Sequence, residues 1–215
     1  MELPGKGNPF PRKLYIYRFP YGTISDLVGY EIFIALMEEC DLFRLEGDFL
    51  EIGCFIGGGT AKLAKAALPW GKKVYAVDIF DPDVDRTVNT AGYAMADIYH
   101  LLLGGRNQEE LFLENTREYP NIRVVKGDSR TLRFSEDQKF VFAFLDGNHE
   151  PEVVKHDFHA IWPHIVPGGI MAFHDYGGDL PQTTGAIDEL LDEHREQIAR
   201  KETIPPRWLM LVLKK

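Results

Sequence analysis

The stretch from residue 49 to residue 78 constrains the fold more than any other. A short apolar run, Phe49 to Gly53, leads into a glycine-rich turn at Gly57, Gly58 and Gly59, then a segment with helical spacing, Thr60 to Leu68, then a second apolar run, Lys73 to Asp78. Strand, helix and strand in that order form a βαβ unit, and such units build parallel sheets. The alternation continues. Further strands are expected at Ile122 to Lys126, Phe140 to Asp146, Gly169 to His174 and Trp208 to Leu213. Helices are expected in Ala91 to Tyr119, Glu152 to His164 and Ala186 to Arg200, and an amphipathic one in Ser25 to Cys40 with Ser25 as its N-cap. One doubly wound α/β domain accounts for this pattern from residue 25 to residue 215.

The first twenty residues hold Pro4, Pro9, Pro11 and Pro20 and resist regular structure, so residues 1–24 are expected to form an arm or flap. A chain of 215 residues that is 45% hydrophobic buries one sizeable core. Its 33 Asp+Glu against 24 Lys+Arg leave a formal charge of −9. That charge repels a phosphate backbone and an anionic membrane surface, so no nucleic-acid and no membrane partner is expected. Cys40 and Cys54 are too few for a disulfide framework or a zinc repeat. The opening MELPGKGNPFPRK lacks the apolar core of a signal peptide, and no run reaches the roughly 18 apolar residues of a membrane helix. A cytoplasmic setting is the expectation.

In open parallel sheets ligands bind at the carboxyl ends of the strands. Here those ends read Glu51-Ile-Gly53-Cys-Phe55-Ile-Gly57, Asp78-Ile79, Gly127-Asp128-Ser129, Asp146-Gly-Asn-His149 and His174-Asp175. Glycines at the first turn let a ligand approach the backbone, and the following helix offers free N–H groups, which implies a nucleotide-like ligand. The dinucleotide fingerprint G-x-G-x-x-G is broken, because Cys54-Phe55 stands where its second glycine belongs. A P-loop is broken too, because Gly59-Thr60 lacks the lysine. Two neighbouring strand ends bring together Asp146, His149, His174 and Asp175, either as a hard site suited to Mg²⁺ or a similar cation or as a hydrogen-bonded cluster without metal. His156, His159 and His164 read as surface or packing residues. Asp81-x-Asp83-x-Asp85 imitates a calcium loop, but Arg86 and Gly92 occupy positions that need glycine and glutamate, so it reads as a solvated loop. Gly127-Asp-Ser129-Arg-Thr131 lacks the second glycine of a nucleophile elbow. Tyr93, Met95, Tyr99 and His100 are mostly expected in the core, and the remainder of Thr87 to Gly105, with the proline-rich arm and residues near Tyr176 to Thr184, is expected to cover the acceptor.

Leu-Glu-Ile-Gly-Cys-Phe-Ile-Gly-Gly-Gly-Thr followed by Val-Tyr-Ala-Val-Asp-Ile-Phe resembles the first two motifs of class I S-adenosylmethionine-dependent methyltransferases. The resemblance implies a Rossmann-like, mostly parallel seven-stranded sheet with helices on both faces and an antiparallel C-terminal strand. It places the Gly53 turn at the methionine portion of the cofactor and gives Asp78 both ribose hydroxyls, since a carboxylate accepts two hydrogen bonds at once. Asp128 and Ser129 would lie near the adenine, and Glu51, Phe55, Gly57, Thr60, Ile79 and Asp146 would complete the cofactor site. Phe-Leu-Asp146-Gly-Asn-His149, then Val-Pro-Gly-Gly-Ile-Met-Ala-Phe-His174-Asp175-Tyr, is similar to the metal-dependent O-methyltransferases of macrocin and catechol type. That subgroup implies a divalent cation on Asp146 and Asp175, with His174 as third ligand or partner and His149 as general base. Where the subgroup has an acidic pair this chain has His174-Asp175. His100 is the alternative base. The implied reaction is methylation of a small-molecule hydroxyl. A nicotinamide-dependent oxidoreductase and a non-catalytic nucleotide-binding protein on the same fold are the other readings. The length leaves no room for a separate substrate domain, so a homo-oligomer whose partner subunit completes the acceptor pocket is a further expectation.

Overall fold

A computed structural model of the protein describes residues 25–215, so the expected N-terminal arm lies outside the described residues. Helix α1 (Glu31–Glu39) precedes β1 (Asp48–Ile52), α2 (Gly58–Ala67), β2 (Val74–Asp78), α3 (Met95–Leu103), α4 (Gln108–Thr116) and β3 (Ile122–Lys126). Then follow β4 (Phe140–Leu145), α5 (Pro151–Ile161), β5 (Ile165–Phe173), α6 (Pro181–Glu193), β6 (Ile198–Ile204) and β7 (Leu209–Lys214). The strands form one seven-stranded sheet in the order β3-β2-β1-β4-β5-β7-β6. Pairings through β5 are parallel, while β7 runs antiparallel to both its neighbours. The Rossmann-like expectation holds, and strand order reverses between β1 and β4.

β4 sits at the centre because every residue of Phe-Val-Phe-Ala-Phe-Leu is buried. A strand buried on both faces needs no polar alternation, and this one has none. Phe142 and Phe144 pack toward α1 and α2, where Phe33 lies 4.8 Å from Phe144 between ring centroids. Ala143 and Leu145 face the opposite cluster with Phe158 and Trp162 of the α5 region and Leu190 of α6. Each fully buried Phe contributes about 2–3 kcal/mol of apolar transfer free energy.

Five local expectations need correction. Helix α1 begins six residues after Ser25, because the carboxylate of Asp26 accepts hydrogen bonds from the Gly29 and Tyr30 N–H groups and shapes a turn there instead. The helical stretch 91–119 breaks at Gly104 and Gly105, both in the left-handed region, and Asn107 then caps α4 by accepting from Glu110 N–H. Within it Tyr93 and His100 are exposed and not in the core, and Met95 and Tyr99 line a cleft. Finally, the expected helix 186–200 ends at Glu193, and residues from Ile198 form β6, the seventh strand. As an edge strand, β6 alternates half-buried and exposed residues along Ile-Ala-Arg-Lys-Glu-Thr-Ile, and its charged side chains read in sequence like a helix tail. β5 starts four residues before its expected beginning, with a register shift around Pro167-Gly168-Gly169.

Gly59 and Gly185 differ sharply in their surroundings. A Cβ on Gly59 would sit 2.5 Å from the Tyr30 ring, whereas one on Gly185 meets nothing within 4 Å. Gly59→Ala should therefore destabilise by about 1–3 kcal/mol through overpacking. Gly185→Ala, in an exposed helix interior, should stabilise by about 0.5–1 kcal/mol. Urea midpoints of the two variants check both signs.

Candidate active site

Backbone hydrogen bonds continue past the strand ends and hold the loops in one row. Gly53 N–H donates to Val77 O (2.9 Å), Asp146 N–H to Ile52 O (2.8 Å), His174 N–H to Leu145 O (3.1 Å) and Gly127 N–H to Asp78 O (2.9 Å). Above this row lies a cleft of about 680 Å³, within the roughly 300–1,000 Å³ usual for small-molecule sites. Its lining includes Gly53, Phe55, Asp78, Ile79, Asp128, Ser129, Asp146, His149, His174 and Asp175. Glu51, Gly57 and Thr60 are not part of that lining.

The β1–β3 half of the cleft is built around Asp78. Its Oδ2 accepts from the N–H groups of Cys54 (2.7 Å) and Phe55 (3.0 Å), and its Oδ1 from Phe80 N–H (2.7 Å) and the Gln108 amide (3.3 Å). Burial raises its pKa, and these hydrogen bonds oppose the rise. Gly53, at φ +84°, is required by contact as well as conformation, since a Cβ there would lie 1.9 Å from Asp146 O. Glycine is required at 57, 58 and 59 by packing, since side chains there would strike Phe112, Ser25 and Tyr30. Asp128 caps the turn after β3, accepting from Arg130 N–H (2.9 Å) and pairing with its guanidinium (2.6 Å).

Glu51 lies beneath the cleft floor. Tyr30 Oη and Thr60 Oγ1 each donate to one of its oxygens at 2.6 Å, tying β1 to α1 and α2. Burial pushes its pKa up to about 7, against those two hydrogen bonds.

The β4–β5 half holds a chain of ionisable groups. His149 Nδ1 lies 2.5 Å from Asp85 Oδ2 and its Nε2 lies 2.7 Å from Asp175 Oδ2. Both partners are carboxylates, which only accept, so both ring nitrogens carry hydrogens. Burial alone would lower the His149 pKa, but Asp175 and Asp85 outweigh it and raise the value to about 10. His174 Nδ1 sits 2.9 Å from Asp175 Oδ2 and 3.2 Å from Asp146 Oδ1, and these carboxylates likewise hold it above its usual range despite burial. Asp175 resists burial in turn, kept well below the ordinary carboxylate range by the charge of His174 and the hydrogen bond from His149. Its backbone is left-handed, at φ +56°, which turns the carboxylate back between the two imidazoles. Donor atoms of Asp146, His149 and Asp175 lie within 4.8 Å of one another, a spacing open to a metal ion.

Asp85 is a candidate site residue absent from the sequence expectations. Asp81 and Asp83 are exposed as expected of a solvated loop, but Asp85 is buried against His149. The available signal was position: the loop leaves the carboxyl end of β2, the same edge that carries the other candidates. Gln108 and Tyr99, the latter with its ring 5.7 Å from that of Phe55, also enter the lining unannounced. His100 pairs with Asp83 at the surface (2.8 Å) and does not line the cleft. His159 packs on Phe158 and His194, His164 contacts Gln138 O, and His156 neighbours Asp157, as packing or surface residues do.

Because the native state holds Glu51 protonated well above its ordinary 4.5, stability is fully present below that pH and falls as pH rises through about 7. The fall amounts to about 3 kcal/mol at ~1.4 kcal/mol per pKa unit. Glu51→Gln should abolish this slope, and denaturant unfolding at a series of pH values measures it.

A family model described as "Methyltransferase domain" matches residues 50–176, more than half of the chain. A search of curated proteins finds no match. Among solved structures, the O-methyltransferase NovP is 21% identical, with 89% of this chain and 82% of that chain covered and a TM-score of 0.67. CalS11, a TDP-rhamnose 3'-O-methyltransferase of calicheamicin biosynthesis, is 19% identical over 86% and 79% of the two chains, with a TM-score of 0.56. MycE, a methyltransferase of the mycinamycin pathway in complex with Mg, SAH and mycinamycin VI, is 18% identical with a TM-score of 0.52; 82% of this chain matches 47% of that one. At these identities the likeness is one of fold. The family match, running from β1 through β5 across the whole row of strand-end residues, makes the chain a member of the methyltransferase-domain family, a class I S-adenosylmethionine-dependent methyltransferase.

Proposed function

We propose that residues 25–215 form one domain that transfers a methyl group to a hydroxyl of a small molecule, assisted by a divalent cation on Asp146 and Asp175, with His149 as base. The observation that carries this reading is the meeting of Asp146, His149 and Asp175 within 4.8 Å, directly beside the Gly53–Asp78 half of the cleft. O-methyltransferases among the structural neighbours, one of them holding Mg and SAH, support it. The donor set fits a hard divalent ion, with two carboxylates converging and the His149 imidazole beside them as the base. His174 is read as the partner that orients both carboxylates, because its Nδ1 already faces them.

In this reading Asp78 binds the ribose, Gly53, Phe55 and Ile79 form the wall along the cofactor, and Asp128 and Ser129 border the adenine. The sulfonium methyl arrives activated, so the chain must chiefly hold the acceptor oxygen in line and remove its proton. An alcohol pKa lies far above that of a free histidine at about 6.5. The cation, when bound, supplies the Lewis acidity that brings the hydroxyl pKa down. Asp175 decides the state of the base: while its Oδ2 accepts from Nε2, His149 stays protonated; with that oxygen engaged elsewhere, the Nε2 proton would pass to solvent in the open cleft, and Nε2 would then take the proton of the acceptor hydroxyl. Asp85 keeps the Nδ1–H and fixes the tautomer, as a positioning residue.

Isothermal titration with SAH, followed by methyl-transfer assays on a panel of phenols and glycosides, tests the reading. Turnover should vanish with EDTA and return with Mg²⁺; chelator-insensitive transfer removes the metal from the account. Asp78→Asn should weaken SAH binding on the order of tenfold or more, as loss of a charged hydrogen-bond acceptor does. His149→Ala and Asp85→Asn should each lower kcat by about a hundredfold or more with SAH affinity intact. Full turnover in His149→Ala removes the base assignment alone.

A further inference from the structure

The order of the strands sorts the cleft lining into two sides. Gly53 and Asp128 follow β1 and β3 and Asp78 ends β2, while Asp146 and Asp175 follow β4 and β5. Next to β5 comes β7, and the turn leading into β7 carries Trp208 into the same cleft. Along the sheet edge the sequence is therefore nucleoside side, acid–histidine cluster, Trp208. Whatever receives the methyl group lies beyond the cluster from the cofactor, which is where the indole stands.

Trp208 is held there by construction. Its backbone is left-handed, at φ +50°, a sparsely populated state for a large side chain. Tyr176 N–H donates to its carbonyl (2.9 Å), its own N–H donates to Pro205 O (3.1 Å), and the neighbouring Arg207 donates to Val28 O and Gly29 O, fastening the hairpin tip to the N-terminal segment. The indole lies against Gly178, where a Cβ would come within 2.6 Å of Cδ2. It is nonetheless 41% exposed, and Leu27 of the fastened segment, 46% exposed, lines the cleft with it. A strained, braced tryptophan left open beside a charged cluster is poorly explained by packing. Next to Gly178 on the same rim, Asn89 donates to Asp179 (3.0 Å) and Thr90 N–H to Asp179 O (2.9 Å), adding another carboxylate to the lining.

We propose that Trp208 is the acceptor platform: a ring-shaped hydroxyl compound without an anionic group stacks on its indole, with Leu27 flanking, and presents a hydroxyl to the Asp146–His149–Asp175 cluster. The inference rests on the methyltransferase reading above and adds the specificity residue. An apolar ring face suits an indole, and the Asp179 carboxylate on the rim disfavours an anionic acceptor.

The test uses the full chain loaded with SAH and Mg²⁺. Tryptophan fluorescence, excited at the red edge of the indole band, is followed while catechol or, separately, methyl β-D-glucopyranoside is added; the two share vicinal hydroxyls on a ring with an apolar face and distinguish an arene from a sugar. One of them should change the emission, the change should disappear in Trp208→Phe, and it should persist in Trp70→Phe, whose indole stacks on Phe43 away from the cleft. For the probe that is methylated, Trp208→Ala should raise the acceptor KM about tenfold with kcat and SAH affinity little altered, and Trp208→Phe should recover most of the loss. No response to either probe, a response that survives in Trp208→Phe, or an unchanged KM in Trp208→Ala overturns the platform while SAH binding and Mg²⁺-dependent transfer leave the methyltransferase reading standing. Absence of SAH binding in the wild-type protein overturns both.

Discussion

The approach of the β1 and β4 ends governs the site. Gly53 lies so close to the backbone of Asp146 that a Cβ would fall 1.9 Å from its carbonyl oxygen, and the Asp146 N–H is bonded to Ile52 O. This one contact sets the cofactor-side turn and the first residue of the acid–histidine cluster side by side. It is made where strand order reverses, the place at which helices on opposite faces diverge and leave a crevice. The buried β4, with aromatic residues packed on both its faces, supplies the rigidity that such precision needs.

Charge is the second organising quantity. Asp85, Asp146 and Asp175 against protonated His149 and His174 leave one negative charge in a largely buried cluster. Burying charges is expensive unless they are paired, and here each histidine is shared between two carboxylates. The residual negative charge suits a cationic ligand, whether a metal ion or the sulfonium of the cofactor. The same logic explains Glu51, which among the described residues has no cation beside it and is instead held by two hydroxyl donors with its pKa raised to about 7.

Much of the fold was legible because its signals are local. The alternation of apolar runs and helical spacing located six of the seven strands, and acids and glycines at strand ends located most of the cleft. What stayed hidden depends on partners distant in the chain. β6 reads as a helix tail until β7 is there to pair with it, since an edge strand needs only one buried face. Asp85 reads as a loop aspartate until His149, 64 residues on, meets it. Glycines 57 to 59 read as a ligand turn, and only the tertiary structure adds that Ser25, Tyr30 and Phe112 pack against them.

The sequence by itself determined the architecture and the edge at which the candidate site lies, because hydrophobic period and strand-end chemistry are properties of short segments. Tertiary structure alone decided which of those residues face the cleft. Glu51 and Thr60 turned inward to tie helices to the sheet, while Asp85, Gln108, Tyr99 and Trp208 turned toward it. The physical reason is that burial, pairing and pKa depend on neighbours brought together across the chain, and no segment carries that information on its own.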